Sequence, residues 1–96
     1  MVNIDVENKT ILVTGSSGFI GSNLVLKIME QYSDVHIIGI DNMNDYYDVS
    51  LKEYRLKQIK EKAKEKNVDW TFFKGSIADK KLIQSIFEKY RPSIVV

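Results

Sequence analysis

Thr10-Ile-Leu-Val-Thr-Gly-Ser-Ser-Gly-Phe-Ile-Gly21 decides how this chain is read. Its first five residues are apolar or β-branched and predict a buried strand. Three glycines follow at a spacing of three, Gly15, Gly18 and Gly21. Beyond them Ile20, Leu24, Ile28 and Tyr32 recur every four residues, with Val25 and Met29 beside them, which predicts a helix face. A glycine triplet between a strand and a helix has a specific physical use. The first glycine turns the chain sharply, the second lets a pyrophosphate approach the backbone, and the third lets helix and strand pack closely. The helix start then offers free N–H groups and a positive dipole end to phosphates. A tight strand-to-helix turn with no ligand is the plainer alternative. A Walker loop is excluded, because no Gly-Lys-Ser/Thr follows.

The alternation continues outward from this stretch. Val35-His-Ile-Ile-Gly-Ile40 predicts a second strand, closed by Asp41. A polar loop runs from Asn42 to Val49. Ser50, three residues before Glu53, has the capping-box spacing of a helix start. Leu51, Tyr54, Ile59 and Ala63 supply that helix's apolar side up to about Lys66. Val68 to Phe73 is rich in strand formers. After Lys74 to Ala78, Asp79 is placed to cap a helix over 80–90 with an apolar face of Leu82, Ile83, Ile86, Phe87 and Tyr90. Pro92 stops it, and Ser93 to Val96 begins a fourth strand. The order β-α-β-α-β-α-β predicts an α/β fold, a Rossmann-like, doubly wound parallel sheet in partial form.

In that context Asp41 gains meaning. It ends the second strand 20 residues after Gly21, about the spacing expected of a carboxylate that grips a ribose 2′-hydroxyl. A carboxylate repels a 2′-phosphate, and Asn42 and Met43 follow with no arginine. NAD is therefore expected over NADP. The alternative role of Asp41 is to cap a turn.

Composition limits the rest. Ninety-six residues support one core, and 44% hydrophobic with 28% charged residues is ordinary for a globular chain. The longest charge-free run, Thr10 to Leu26, holds three glycines, three serines and two threonines and does not read as a membrane helix. The start of the chain lacks a signal-peptide pattern, and zero cysteines exclude disulfides and a thiol nucleophile; both point to the cytoplasm. Asn8-Lys-Thr10 matches a glycosylation acceptor by accident on that reading. His36, the one histidine, lies in an apolar strand and is read as structural, with no cluster to hold a metal.

The net charge of +1 hides an asymmetry. Residues 1–49 carry two basic and seven acidic groups, net −5; residues 50–96 carry twelve and six, net +6. Most of the excess lies in 50–66. No aromatic platform accompanies it, so nucleic acid is not expected as a partner. It reads as a solvated helix face, with Glu53–Lys57 and Glu61–Lys64 at pairing distance along a helix.

Two segments carry a family resemblance. Thr14-Gly-Ser-Ser-Gly-Phe-Ile-Gly21 resembles the TGxxGFIG loop of the extended short-chain dehydrogenase/reductases, which include nucleotide-sugar epimerases and dehydratases. Asp41-Asn-Met-Asn-Asp-Tyr-Tyr-Asp-Val-Ser-Leu-Lys52 is similar to the DNxNDYYDxxLK segment of UDP-glucuronate 4-epimerases. The resemblance implies that Gly15, Gly18, Phe19, Ile20 and Gly21 line the pyrophosphate of NAD, and that Asp41 holds the adenosine ribose with Asn42 and Asp45 close by. It places Ser76 and Ile77 at the adenine. Ser76 departs from the family's aspartate, though its hydroxyl can accept a hydrogen bond from the adenine amine. Tyr46 and Tyr47 either order the loop over the cofactor or simply pack it. For the full-length enzyme the resemblance implies a nucleotide-sugar substrate and a homodimer.

The family's chemistry needs a Tyr-x-x-x-Lys pair, and none of the five tyrosines has lysine four residues on. Catalytic residues are therefore expected outside these 96 residues. The chain reads as the N-terminal part of an NAD-binding domain, without the catalytic and substrate segments and inactive alone. The favoured reading is the cofactor-binding part of a UDP-sugar C4 epimerase. A 4,6-dehydratase or reductase of the same superfamily, and a non-catalytic dinucleotide module, remain open.

Overall fold

The computed structural model describes residues 9–32, 34–43 and 49–96. Asn8, Asp45, Tyr46 and Tyr47 lie outside the described residues. Four strands alternate with three helices in the expected order: β1 Thr10–Thr14, α1 Phe19–Gln31, β2 His36–Asp41, α2 Val49–Lys66, β3 Asp69–Lys74, α3 Lys80–Tyr90 and β4 Ile94–Val95. The strands form one parallel sheet in the order β3-β2-β1-β4. Thr10 pairs with His36 and Thr14 with Ile40, which sets the carboxyl ends of β1 and β2 side by side. The order reverses direction between β1 and β4, and an open α/β sheet takes ligands at the carboxyl ends of such a switch point.

Alternating strand residues feed two cores. Ile11, Val13 and Ile37 face one side and pack with Val25 and Met29 of α1 and Ile59 and Ala63 of α2. Leu12, Ile38 and Ile40 face the other side and pack with Ile86, Leu82, Ile83 and Tyr90 around α3. Helices on both faces make this a doubly wound, Rossmann-like sheet. The near-continuous apolar runs of β1 and β2 follow from burial on both faces. His36 is structural: its Nε2 lies 2.8 Å from Thr71 Oγ1 and its ring stands edge-on to Tyr90.

Several local expectations are corrected. On α1 the buried line is Ser22, Val25 and Met29, while Ile20, the first of the every-four series, is 81% exposed. The rest of the series, Leu24, Ile28 and Tyr32, is partly buried and packs against the core beside that line. Tyr32 is the C-cap rather than part of the helix face. α2 begins at Val49, so Ser50 sits inside the helix and the expected capping box does not form its start. Ile59 and Ala63 are buried as expected, but Leu51 and Tyr54 are exposed, because α2 meets the core only over its later turns. α3 matches its expectation in its cap and in Leu82, Ile83, Ile86 and Tyr90, but Phe87, expected on the apolar face, is exposed. Asp79 is the N-cap, and its carboxylate accepts from the Leu82 N–H at 3.2 Å. The helix ends at Tyr90, where Arg91 takes a left-handed conformation (φ 48°) and returns its N–H to the Phe87 carbonyl.

Candidate nucleotide cleft at the sheet's carboxyl edge

β1 leaves the sheet through Gly15, whose φ of +65° suits a residue without Cβ. The N–H groups of Gly15 and Ser16 both bond the Ile40 carbonyl, at 2.8 and 3.3 Å, so the turn is tied to the end of β2. Gly18 closes it by donating to the Gly15 carbonyl at 3.0 Å. A Cβ on Gly21 would fall 2.1 Å from the Gly15 carbonyl oxygen, so only glycine lets α1 begin this close to the turn. A Cβ on Gly18 would lie 3.2 Å from that oxygen. Gly18 is also the helix N-cap and has no side chain to cap with. The N–H groups of Phe19, Ile20 and Gly21 find no acceptor among the described residues. α1 has no acidic residue in its first turn either. This helix start is fitted to receive an external anion.

Beneath the turn, Ser16 and Ser17 are fully buried, and neither hydroxyl has a hydrogen-bond partner. Ser16 and Trp70 both fill the space over Gly39, where a Cβ would meet Trp70 at 2.3 Å and Ser16 Oγ at 2.5 Å. The Trp70 indole N–H is also unpartnered. Each orphaned group costs about 1–3 kcal/mol. The turn's close packing is thus favoured by its apolar surroundings and opposed by its polar atoms.

Asp41 is the most tightly held side chain near the turn. Its Oδ2 accepts the Ser17 N–H at 3.0 Å, across 24 residues of sequence. Its Oδ1 accepts the Met43 N–H at 2.8 Å and the Lys52 ammonium at 2.9 Å. The side chain is 3% exposed. The turn-capping role is therefore real. It occurs together with a position on the cleft wall rather than in place of it.

A cleft of about 420 Å3 opens over the carboxyl ends of β1, β2 and β3. Gly15, Asp41, Asn42, Ser76 and Ile77 all line it, together with Thr14, Ile40, Gly75 and Lys52. Gly18, Phe19, Ile20 and Gly21 lie on the other side of the turn. There they line a more apolar hollow of about 540 Å3 with Val13, Leu24 and Val96. Gly15 and Thr14 border both. Ser76 is exposed, and its hydroxyl accepts the Ala78 N–H at 3.0 Å. Asp45 lies outside the described residues.

Lys52 was not among the candidates. Read as part of a solvated stripe, it instead pairs with Asp41 and walls the cleft. Arg55, one turn further on, reaches the Ser17 carbonyl (3.4 Å), and its guanidinium carbon lies 5.9 Å from the centre of the Phe19 ring. No arginine adjoins Asp41 in the sequence, and the structure's contacts for Arg55 are with Ser17 and Phe19. The basic stripe is partly used in other ways too, since Lys62 pairs with Glu30 of α1 at 2.7 Å. Neither Glu53–Lys57 nor Glu61–Lys64 forms an ion pair. Among the described residues there is no cluster of metal-ligating side chains, and no helix is long and apolar enough to cross a membrane.

Known proteins resemble this chain in sequence and in fold. The family described as GDP-mannose 4,6 dehydratase matches residues 12–96. Protein CapI of Staphylococcus aureus is 43% identical over 86 residues, 90% of this chain and 23% of that protein. UDP-glucuronate 4-epimerase of Thermodesulfobacterium geofontis is 36% identical over 85 residues, 88% of this chain and 24% of that protein. The chain thus spans about a quarter of the length of these relatives. Among solved structures, the UDP-glucuronic acid 4-epimerase of Bacillus cereus, in complex with UDP-glucuronic acid and NAD, superposes with a TM-score of 0.69 at 28% identity. The dTDP-glucose 4,6-dehydratase of Bacillus anthracis, in complex with NAD, superposes with a TM-score of 0.73 at 26% identity. Each superposition covers 91% of this chain and 25% of the other.

Proposed function

Because this chain belongs to the GDP-mannose 4,6 dehydratase family, within the extended short-chain dehydrogenase/reductases, we propose that its cleft holds the adenosine side of NAD and the adjoining hollow across the glycine turn its pyrophosphate. The single observation that carries this is the uncapped start of α1, set against the buried carboxylate of Asp41 across one glycine turn. The fit can be checked on the chain itself. Gly21 admits the helix to the turn, Gly18 leaves the helix end open, and the first-turn N–H groups stand without acceptors. Those N–H groups of Phe19, Ile20 and Gly21 would hold the pyrophosphate. Asp41 and Asn42 would face the adenosine ribose, and Ser76 and Ile77 the adenine. Asp45 belongs to the same reading by sequence alone. When bound, NAD supplies a hydride acceptor and donor; the residues here bind and orient it.

For the whole protein we infer a C4 epimerase of UDP-glucuronate. The support is the Asp41–Lys52 segment and its similarity to enzymes of that name. A 4,6-dehydratase is the second reading, favoured by the likeness to the Bacillus anthracis enzyme. Residues 1–96 would be the first part of the NAD-binding domain. With no Tyr-x-x-x-Lys pair, they would turn over no sugar nucleotide alone.

Calorimetric titration of the chain with NAD tests the reading. Saturable one-to-one binding, weakened at least tenfold by Gly18→Val, is expected. Absence of binding by the folded chain sinks it. Incubating the chain with UDP-glucuronate and NAD should yield no C4 epimer, and any conversion would overturn the inactivity.

A further inference from the structure

We propose that the outer edge of β3 is a self-association surface, where two copies of this chain pair antiparallel through residues 70–74 into one continuous sheet. This does not rest on the nucleotide reading above.

β3 ends the sheet, with β2 on one side and no strand on the other. The Gly75 N–H bonds the Asp41 carbonyl, which fixes the phase of the strand. Backbone groups of successive strand residues alternate sides, so the N–H and C=O of Trp70, Phe72 and Lys74 point away from β2. Among the described residues, no turn or loop backbone group bonds them. β2 is buried from Ile37 to Asp41, whereas Trp70 to Phe73 are half-buried. Natural edges are blunted by charge, proline or a bulge. Here charge stands only at the strand's ends, Asp69 and Lys74, around an uncharged Trp70-Thr-Phe-Phe73.

The chemistry of the strand selects its own copy as the occupant. It runs from an acidic end to a basic end. An antiparallel copy sets each Asp69 end beside a Lys74 end, within the range where charges act, and a parallel copy sets like beside like. Opposed residues in an antiparallel pair exchange both bonds only where both point their backbone groups across the gap. With Phe72 opposite Phe72 of the second copy, Trp70 opposes Lys74 and Lys74 opposes Trp70, so every outward residue is paired. The side chains of these three share one face, since residues two apart in a strand do. Trp70 and Phe72 already stack there, with ring centres 6.2 Å apart and planes at 26°. Pairing continues that stack across the two-fold axis and lays each Lys74 ammonium beside a Trp70 ring. The contact is isologous, so it closes at two copies.

A six-residue edge buries less than a standard interface, so the expected dissociation constant is on the order of 0.1 mM. Sedimentation equilibrium over about 0.01 to 1 mM should show monomer passing to dimer and no larger species. Lys74→Pro removes an outward N–H while sparing the ladder to β2, and an edge strand tolerates proline there. It should weaken the dimer at least tenfold. Lys74→Arg keeps the N–H and the cation and should stay within threefold of the wild type. On dilution of the wild type, the amide resonances of Trp70, Phe72 and Lys74 should shift together, a reading that needs no variant. Three results would each overturn the proposal: a chain that stays monomeric at about 1 mM, a dimer unaffected by Lys74→Pro, or dilution shifts at Ile94 to Val96 in place of β3.

Discussion

The two strand-to-helix junctions that border the cleft are built on opposite plans. Between β1 and α1, the turn is buried, held by backbone bonds to Ile40, and its helix begins on a glycine with no cap. Between β3 and α3, residues 75–79 are largely exposed, Ser76 bonds its own turn, and Asp79 caps the helix with its carboxylate. Both helices present a positive end toward the same edge of the sheet. Only α1 leaves that end available, because α3 already satisfies its own with a side chain. Proximity to the cleft therefore does not make a helix start an anion site; the missing cap does.

The largest expected effect comes from closing the gap at the first junction. Gly21→Ala would put a Cβ against the Gly15 carbonyl, and we expect a loss of about 3 kcal/mol, the upper end for overpacking. That is a large share of the roughly 5–15 kcal/mol that holds a domain together. Thermal unfolding should show a fall of roughly 12 °C or more. A melting temperature within 2–3 °C of wild type (about half a kcal/mol) would mean that the turn is less tightly built than the contrast requires.

Asp79→Ala comes next. It removes the cap of α3 and should cost about 1 kcal/mol, measured as a lower urea midpoint. Dinucleotide affinity should change less than threefold, since this helix start contributes no open N–H groups to the site. A large affinity change would erase the distinction between the two junctions.

The smallest effect is expected where α1 is tied to α2 at its far end. The hydrogen bond from Lys62 holds the Glu30 carboxyl below its ordinary range, and the same bond holds the Lys62 ammonium above its own. The pair stabilises the folded chain when both groups are charged. Its contribution is lost as pH falls through the lowered Glu30 value or rises through the raised Lys62 value. Glu30→Gln should thus lower the urea midpoint slightly near neutral pH. The difference should vanish in acid well below the glutamate range, and it should shrink with added salt.

The features that sequence alone made legible were those encoded locally. β1 has the expected bounds because five apolar or β-branched residues sit between a lysine and a glycine. Asp79 was identifiable as a cap because its partner, the Leu82 N–H, is three residues away. Gly21 was identifiable because the spacing of the triplet encodes the close approach. The pairing of Lys52 with Asp41 had no such signal. Eleven residues and a loop separate them, and their meeting depends on where α2 packs. Ile59 and Ala63 determine that through core contacts further back along the same face of the sheet. The same cause explains Leu51 and Tyr54, apolar by type yet left outside by a helix that engages the core only later.

Trp70 is the chain's one tryptophan, and it lies over Gly39 against Ser16 with its indole N–H unpartnered. Excited selectively over the tyrosines, this chain therefore emits from one ring lodged under the glycine turn. A displacement of Ser16 changes the polarity around that ring. The fold thus contains an optical reporter for movement of the glycine turn, one that needs no label and no substitution to read.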